Sequence, residues 1–232
     1  MRLVLFDIDG TILLTDGAGR RAIGRALFDL MGTTGPVGDH RFDGKTDPQI
    51  VRELLALAGH ADAEIPERVR AVCDRYLELL EGELAGPTQT RVMAGVRELL
   101  AALVAPEANG AVLVGLLTGN LERGAALKLQ SAGIDPSRFA VGAYGSDAPD
   151  RPELPAIARR RAESLTGRAI AGGNVIVIGD TPDDVACARP IGARTVAVAT
   201  GRYDVSALAA AGATHVFADL SDTAAVMDAL LA

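Results

Sequence analysis

Short unbroken apolar runs, each closed by polar or glycine residues, recur along the chain, and between them apolar positions return every three or four residues. The first run, Leu3-Val4-Leu5-Phe6, ends in Asp7-Ile8-Asp9-Gly10-Thr11. A run this short, apolar on both faces, fits one buried strand of a parallel sheet. From 20 to 31, Ala22, Ile23, Ala26, Leu27, Leu30 and Met31 follow helical spacing. Residues 32–44 read as a loop rich in Gly, Thr and Asp. A second helix fits 48–57, with Asp47 as its cap and Ile50, Val51, Leu54 and Leu55 facing inward. A third fits 67–84 on Val69, Val72, Cys73, Tyr76, Leu77 and Leu80. No strand pattern appears between Asp16 and Gly86.

Beyond that point strand and helix alternate. Helical spacing predicts helices at 96–104, 121–132, 153–165, 183–189, 205–211 and 223–231, separated by apolar runs at 111–117, 139–142, 174–178, 195–199 and 215–218. The pattern predicts an α/β fold, a doubly wound, Rossmann-like parallel sheet core formed by 1–15 and 87–232 and interrupted by an all-helical insertion at 16–86. An insertion of about 70 residues is large enough to pack a core of its own and to serve as a lid.

Composition narrows the function classes. With 49% hydrophobic residues the chain can bury one core and a small appendage, and aromatics at 3% suit helices on a parallel sheet better than a sandwich. The net charge of −7 argues against a general nucleic-acid binder, which needs a positive face, but allows a local basic pocket for one phosphate. Cys73 and Cys187 lack partner spacing, so they are expected to be reduced and buried, forming neither a disulfide nor a zinc site. His40, His60 and His215 show no spacing typical of ligands, and Arg159-Arg160-Arg161 reads as a solvated helix face. No signal peptide or membrane span is read, which predicts a cytoplasmic protein, monomer or homodimer, without nucleic-acid or membrane partners.

Three of the apolar runs end in chemistry: Asp7-Ile8-Asp9, Thr118-Gly119-Asn120 and Gly179-Asp180-Thr181-Pro182-Asp183-Asp184. In an open α/β sheet ligands bind outside the carboxyl ends of the strands, so parallel neighbours would bring Asp7, Asp9, Thr118 and Asp180 into one crevice. Carboxylates and a hydroxyl without nearby His or Cys favour a hard cation, Mg²⁺ first, which commonly bridges carboxylate to phosphate.

These residues resemble the haloacid dehalogenase-like superfamily of Mg²⁺-dependent phosphohydrolases. The likeness rests on Asp7-x-Asp9-Gly10-Thr11, Thr118, and Gly179-Asp180-x-x-x-Asp184 in the family's order, with the helical insertion corresponding to its type 1 cap. The resemblance implies Asp7 as nucleophile forming an aspartyl-phosphate, and Asp9 as the acid and then base that moves the proton. It implies Mg²⁺ held by Asp7, Asp180 and the backbone carbonyl of Asp9, with Asp184 in support and Asp183 as a weaker substitute. Thr118, Gly119 and Asn120, with Gly10 and Thr11, would meet the phosphoryl group. For the family's conserved cation it points to Arg151, which precedes Pro152 where Lys-Pro is usual. The rival Lys128 lies ten residues past Thr118, roughly 15 Å along a helix, which disfavours it. In the insertion, Phe42-Asp43-Gly44-Lys45-Thr46-Asp47 resembles the substrate-specificity loop, with Lys45 as candidate for an anionic substrate group or else a plain solvated lysine.

The implied activity is that of a phosphatase acting on a small phosphorylated metabolite, with a phosphoglycolate-like substrate as the first expectation. Asp9 disfavours a haloalkanoic acid dehalogenase. A phosphosugar mutase of the β-phosphoglucomutase type keeps both acids, and a non-catalytic phosphate-sensing module is the alternative from another class.

Overall fold

The computed structural model describes residues 1–60, 63–85 and 90–232. Its strands are β1 (Arg2–Phe6), β2 (Leu13–Leu14), β3 (Arg91–Val92), β4 (Val112–Leu117), β5 (Val141–Ala143), β6 (Val175–Gly179), β7 (Arg194–Val198) and β8 (His215–Phe217). The helices are α1 (Ala18–Met31), α2 (Asp47–Leu57), α3 (Pro66–Ala85), α4 (Val96–Ala102), α5 (Val104–Ala108), α6 (Glu122–Ser131), α7 (Leu154–Thr166), α8 (Pro182–Ala188), α9 (Val205–Ala210) and α10 (Thr223–Leu231).

Six strands form one parallel sheet in the order β5-β4-β1-β6-β7-β8, so β1 is central, between β4 and β6. Alternate residues of β1 serve opposite faces. Val4 and Phe6 join Leu99, Leu129 and Leu230 on one side, whereas Leu3 and Leu5 join Leu154, Ala158 and Cys187 on the other. Both faces are therefore covered, which is why this strand reads as a continuous apolar run. The sheet and its flanking helices match the α/β architecture expected from the sequence.

A third apolar cluster ties α1, α2 and α3 together through Ile23, Leu27, Val51, Leu54, Val72, Tyr76 and Leu80, and takes in Leu121 next to α6. Where the chain leaves and re-enters the sheet region, β2 and β3 pair antiparallel, Leu13 opposite Val92. Strands of two residues carry no period, so this ribbon leaves no trace in the hydrophobic pattern. The helix expected at 96–104 ends at Ala102, and α5 starts afresh with Pro106 in its first turn, where the missing N–H costs nothing. Cys73 and Cys187 are free and buried, as expected. Among the described residues no helix is long and apolar enough to cross a membrane.

Candidate active site

Register places the site. Phe6 lies opposite Leu116 of β4 and Ile178 of β6, so Asp7, the Thr118 turn and Asp180 leave the sheet at one level, side by side. The turn after Asp7 is tight: the Ile8 carbonyl accepts from the amides of Thr11, Ile12 and Leu13. Gly10 sits at φ 83°, and a side chain there would strike the Asp180 carboxylate, its Cβ falling 2.3 Å from Oδ2. Gly201, after β7, leaves the same carboxylate room from the other side.

Asp7, Asp180 and Asp184 are buried and offer oxygens within 4.8 Å of one another. Arg151 enters this cluster from the start of α7, 3.2 Å from Asp7 Oδ2 and hydrogen-bonded to Asp184. Asp184 is fixed by a capping box at α8, its Oδ2 accepting from the Thr181 amide at 2.9 Å and hydroxyl at 2.7 Å. Thr11 donates to Asp180 Oδ1 at 3.0 Å. Burial pushes the Asp7 carboxyl up, Arg151 opposes, and the neighbouring acids add to the rise. Asp180 is likewise raised, first by burial and then by Asp184 and Asp7. Burial opposes the Arg151 charge, yet Asp184 and Asp7 hold its pKa well above the usual value.

Asp9 turns the other way. Its Oδ1 and Oδ2 accept from Lys128 Nζ at 2.8 and 2.7 Å, and Oδ2 also accepts from Asn120 Nδ2 at 2.7 Å. Asn120 also donates to the Thr118 hydroxyl at 2.8 Å, leaving that hydroxyl its own proton to give. These groups line a cavity of about 470 Å³ between the sheet ends and the inserted helices, with Arg20, Phe42, Lys45 and Tyr76 on the helical side.

The chain is similar to several known proteins. A model of the HAD-hydrolase-like family matches residues 151–223. Phosphoglycolate phosphatase of Rhodospirillum rubrum is 28% identical over 225 residues, covering 95% of this chain and 88% of that protein. A hydrolase from Pseudomonas syringae superposes with a TM-score of 0.75 at 22% identity, covering all of both chains. CbbY from Rhodobacter sphaeroides, solved in complex with phosphate, superposes with a TM-score of 0.71 at 16% identity over 96% of each chain. The chain is thus similar to haloacid dehalogenase-like hydrolases, through a family model over 151–223 and a relative matched over most of its length.

The acid cluster can hold a divalent cation. Three buried carboxylates face one guanidinium, Asp180 accepts among the described residues only from the Thr11 hydroxyl, and every candidate ligand atom is oxygen, the set that hard cations prefer. Among the described residues the buried Arg151 Nε–H also has no hydrogen-bond partner, a donor suited to an anion.

Several expected residues sit differently from their sequence reading. Thr11 is fully buried on Asp180 and does not line the cavity, so its hydroxyl supports the acid cluster. Gly119 is the landing point of the inserted loop: its carbonyl accepts from the Asp47 amide at 2.8 Å, and a Cβ there would fall 2.0 Å from the Lys45 carbonyl. Lys45 does line the cavity, but its ammonium is paired with Glu53, which also meets His40 Nε2 at 2.8 Å. Asp183 faces away and pairs with Arg41 at 3.0 Å.

Lys128 does reach the site, contrary to the distance argument. Its helix starts at Glu122, so the axial distance is six residues, about 9 Å, and long helical side chains lean back toward the N-terminus. Asp47 does not cap its own helix, since Thr46 accepts from the Gln49 amide at 3.2 Å. The Asp47 carboxylate instead crosses to the Leu121 amide at 2.9 Å, and burial pushes it up to about 6 against the pull of Lys128 and that amide. Sequence reading also passed over Thr200-Gly201, although they follow the apolar run of β7 just as Thr118-Gly119 follow β4.

Proposed function

We propose that the chain is a Mg²⁺-dependent phosphatase that hydrolyses a small phosphorylated metabolite through an aspartyl-phosphate on Asp7. The observation that carries this reading is the Asp7 carboxylate itself, buried in the cavity wall among oxygen donors with Arg151 at 3.2 Å. Residues 16–86 would act as the lid over a core of 1–15 and 87–232.

An oxygen of Asp7 attacks phosphorus as the bond from phosphorus to the ester oxygen breaks, and Asp9 gives its proton to the departing oxygen. Water then attacks the same phosphorus, its proton passing to Asp9 as the bond to Asp7 breaks and phosphate is released. Arg151, with its unpartnered Nε–H, and the Thr118 hydroxyl offset charge on the phosphoryl oxygens. Mg²⁺, held by Asp7, Asp180 and the carbonyl of Asp9 with Asp184 supporting, would neutralise the phosphoryl charge and orient the group for in-line transfer. A phosphoglycolate-like substrate is supported by the Rhodospirillum rubrum relative's name and by the cations Arg20, Lys45 and Arg202 around the cavity.

The test is a panel of phosphorylated metabolites with purified protein and Mg²⁺. Release of free phosphate, greatest for a small phosphorylated acid, is the expected result. An isomerised phosphosugar without net phosphate would mark a mutase, and one phosphoryl group taken up per chain without turnover would mark a sensor.

A further inference from the structure

Beside the active-site cavity lies a second one of about 560 Å³ that the reaction above leaves unused. Two stretches of backbone part them. Lys45, Asp47, Gly119 and Asn120 line the first cavity, whereas their chain neighbours Pro48, Leu121 and Glu122 line the second. The partition is pinned where the Asp47 amide donates to the Gly119 carbonyl at 2.8 Å and the Leu121 amide to the Asp47 carboxylate at 2.9 Å. Val69, Cys73 and Leu77 recur every fourth residue of α3, and this stripe forms one apolar wall. Leu121, Ala148 and Pro149 add apolar surface from the turns that follow β4 and β5. A mostly apolar cavity of this size, where two packed units meet, has the usual form of a small-ligand site.

One charged side chain stands inside it. Glu64, Arg70, Asp74, Glu122 and Arg123 line the cavity but are exposed, and Asp147 is taken by Arg161 at 2.6 and 2.7 Å. Arg52, one turn after Pro48 on α2, is 27% exposed and poorly matched: Glu64 lies 3.7 Å and Asp150 3.9 Å from its guanidinium, both beyond hydrogen-bond length. Among the described residues its buried Nε–H has no hydrogen-bond partner. A guanidinium offers five donors in a planar fork that fits a carboxylate, and a desolvated donor without an acceptor costs free energy until one arrives.

We propose that this second cavity binds a small monocarboxylate with an apolar body, the carboxylate on Arg52 and the body on Val69, Cys73, Leu77 and Leu121. A second negative charge on the ligand would meet Asp74 and Glu122, so the class is a monoanion. The ligand touches the inserted helices and the core at once, yet stays on its own side of the partition. The site is independent of the phosphatase reading.

The experiment is calorimetric titration of the full chain with 1-naphthoate, and with 1-naphthamide, its uncharged counterpart of the same shape. Wild type should bind one naphthoate with a Kd of about 0.1–1 mM, and naphthamide about 10-fold more weakly. Arg52→Gln should also weaken naphthoate about 10-fold. Ser146 is exposed on the wall of this cavity, and Ser146→Trp should fill the space and weaken both compounds at least about 10-fold. Lys45→Ala, across the partition, should leave the Kd within about 2-fold. The proposal is overturned if wild type takes up no naphthoate at about 5 mM, or if naphthamide binds as tightly. It is equally overturned if either Arg52→Gln or Ser146→Trp, folded by circular dichroism, binds like wild type, or if Lys45→Ala costs as much as Arg52→Gln. Because Ser146 is exposed, its variant decides the matter should Arg52→Gln fail to fold.

Discussion

Arg151 and Lys128 are both buried cations on a carboxylate, yet they are fixed in different ways. Arg151 is held wholly by the sheet end, through Asp7 and Asp184, and Asp184 is itself locked by the Thr181 capping box. Lys128 meets Asp9 from a helix that packs on α3, with Asp47 and Tyr76 of the inserted helices closing round it. The first arrangement lies wholly within the strand ends. The second draws its partners from the sheet end and from the inserted helices. Under the proposed reaction, the cation that offsets phosphoryl charge is thus built into the strand ends, while the acid proposed to move a proton stands where the insertion meets the core.

The rigid end should give the larger effects. Asp180→Asn is expected to lower turnover more than about 1,000-fold by removing a cation ligand. Burial and two like charges raise Asp180 above its ordinary 3.8, so without metal its ionisation costs stability as pH climbs past 3.8. The metal-free wild type should therefore lose Tm between about pH 5 and pH 9, and Asp180→Asn should flatten that decline and erase the Tm gain from Mg²⁺. A steep decline retained in the variant would contradict the account of the acid cluster.

Arg151→Met comes next, with kcat expected to fall about 100-fold and unfolding free energy to fall by about 3–5 kcal/mol, because two buried carboxylates lose their cation. Denaturant unfolding and steady-state kinetics read the two effects separately. If stability fell but kcat did not, Arg151 would be a structural cation only.

Much of the rigid end is legible in the sequence. Strands buried on both faces must be apolar throughout, so the polar residues that break out at Asp7, Thr118 and Asp180 mark the strand ends plainly. The Thr200-Gly201 turn carries the same mark, but without a carboxylate it looks like any strand end. The inserted helices are harder to read. Asp47 looks like a helix cap because the amide it satisfies, that of Leu121, lies 74 positions away. Lys128 is misjudged because distance along a helix says nothing of how a side chain leans or which acid it meets. Lys45 shows its charge but not Glu53, whose pairing depends on how the loop folds back on α2.

Predictions at the inserted helices are correspondingly smaller. Lys45→Ala should raise KM several-fold, about 3- to 10-fold, for a substrate with a second anionic group and less for p-nitrophenyl phosphate. Equal changes would remove Lys45 from recognition. The smallest effect concerns His40, held below its ordinary 6.5 by burial and by Lys45. A depressed histidine adds stability that is present above about pH 6.5 and lost as pH falls through its folded value. His40→Asn should therefore lessen the acid-side drop in Tm by about a degree or two, and an unchanged drop would show that the inserted segment tolerates protonated His40.

The central claim is that Asp7 carries the phosphoryl group, and acid quenching during turnover of a good phosphomonoester substrate, followed by peptide mapping, tests it most directly. The account predicts a phosphoryl group on the peptide containing Asp7 that forms and decays at least as fast as turnover and is absent in Asp7→Asn. Sustained turnover with no label at Asp7, or a fully active and folded Asp7→Asn protein, would contradict it.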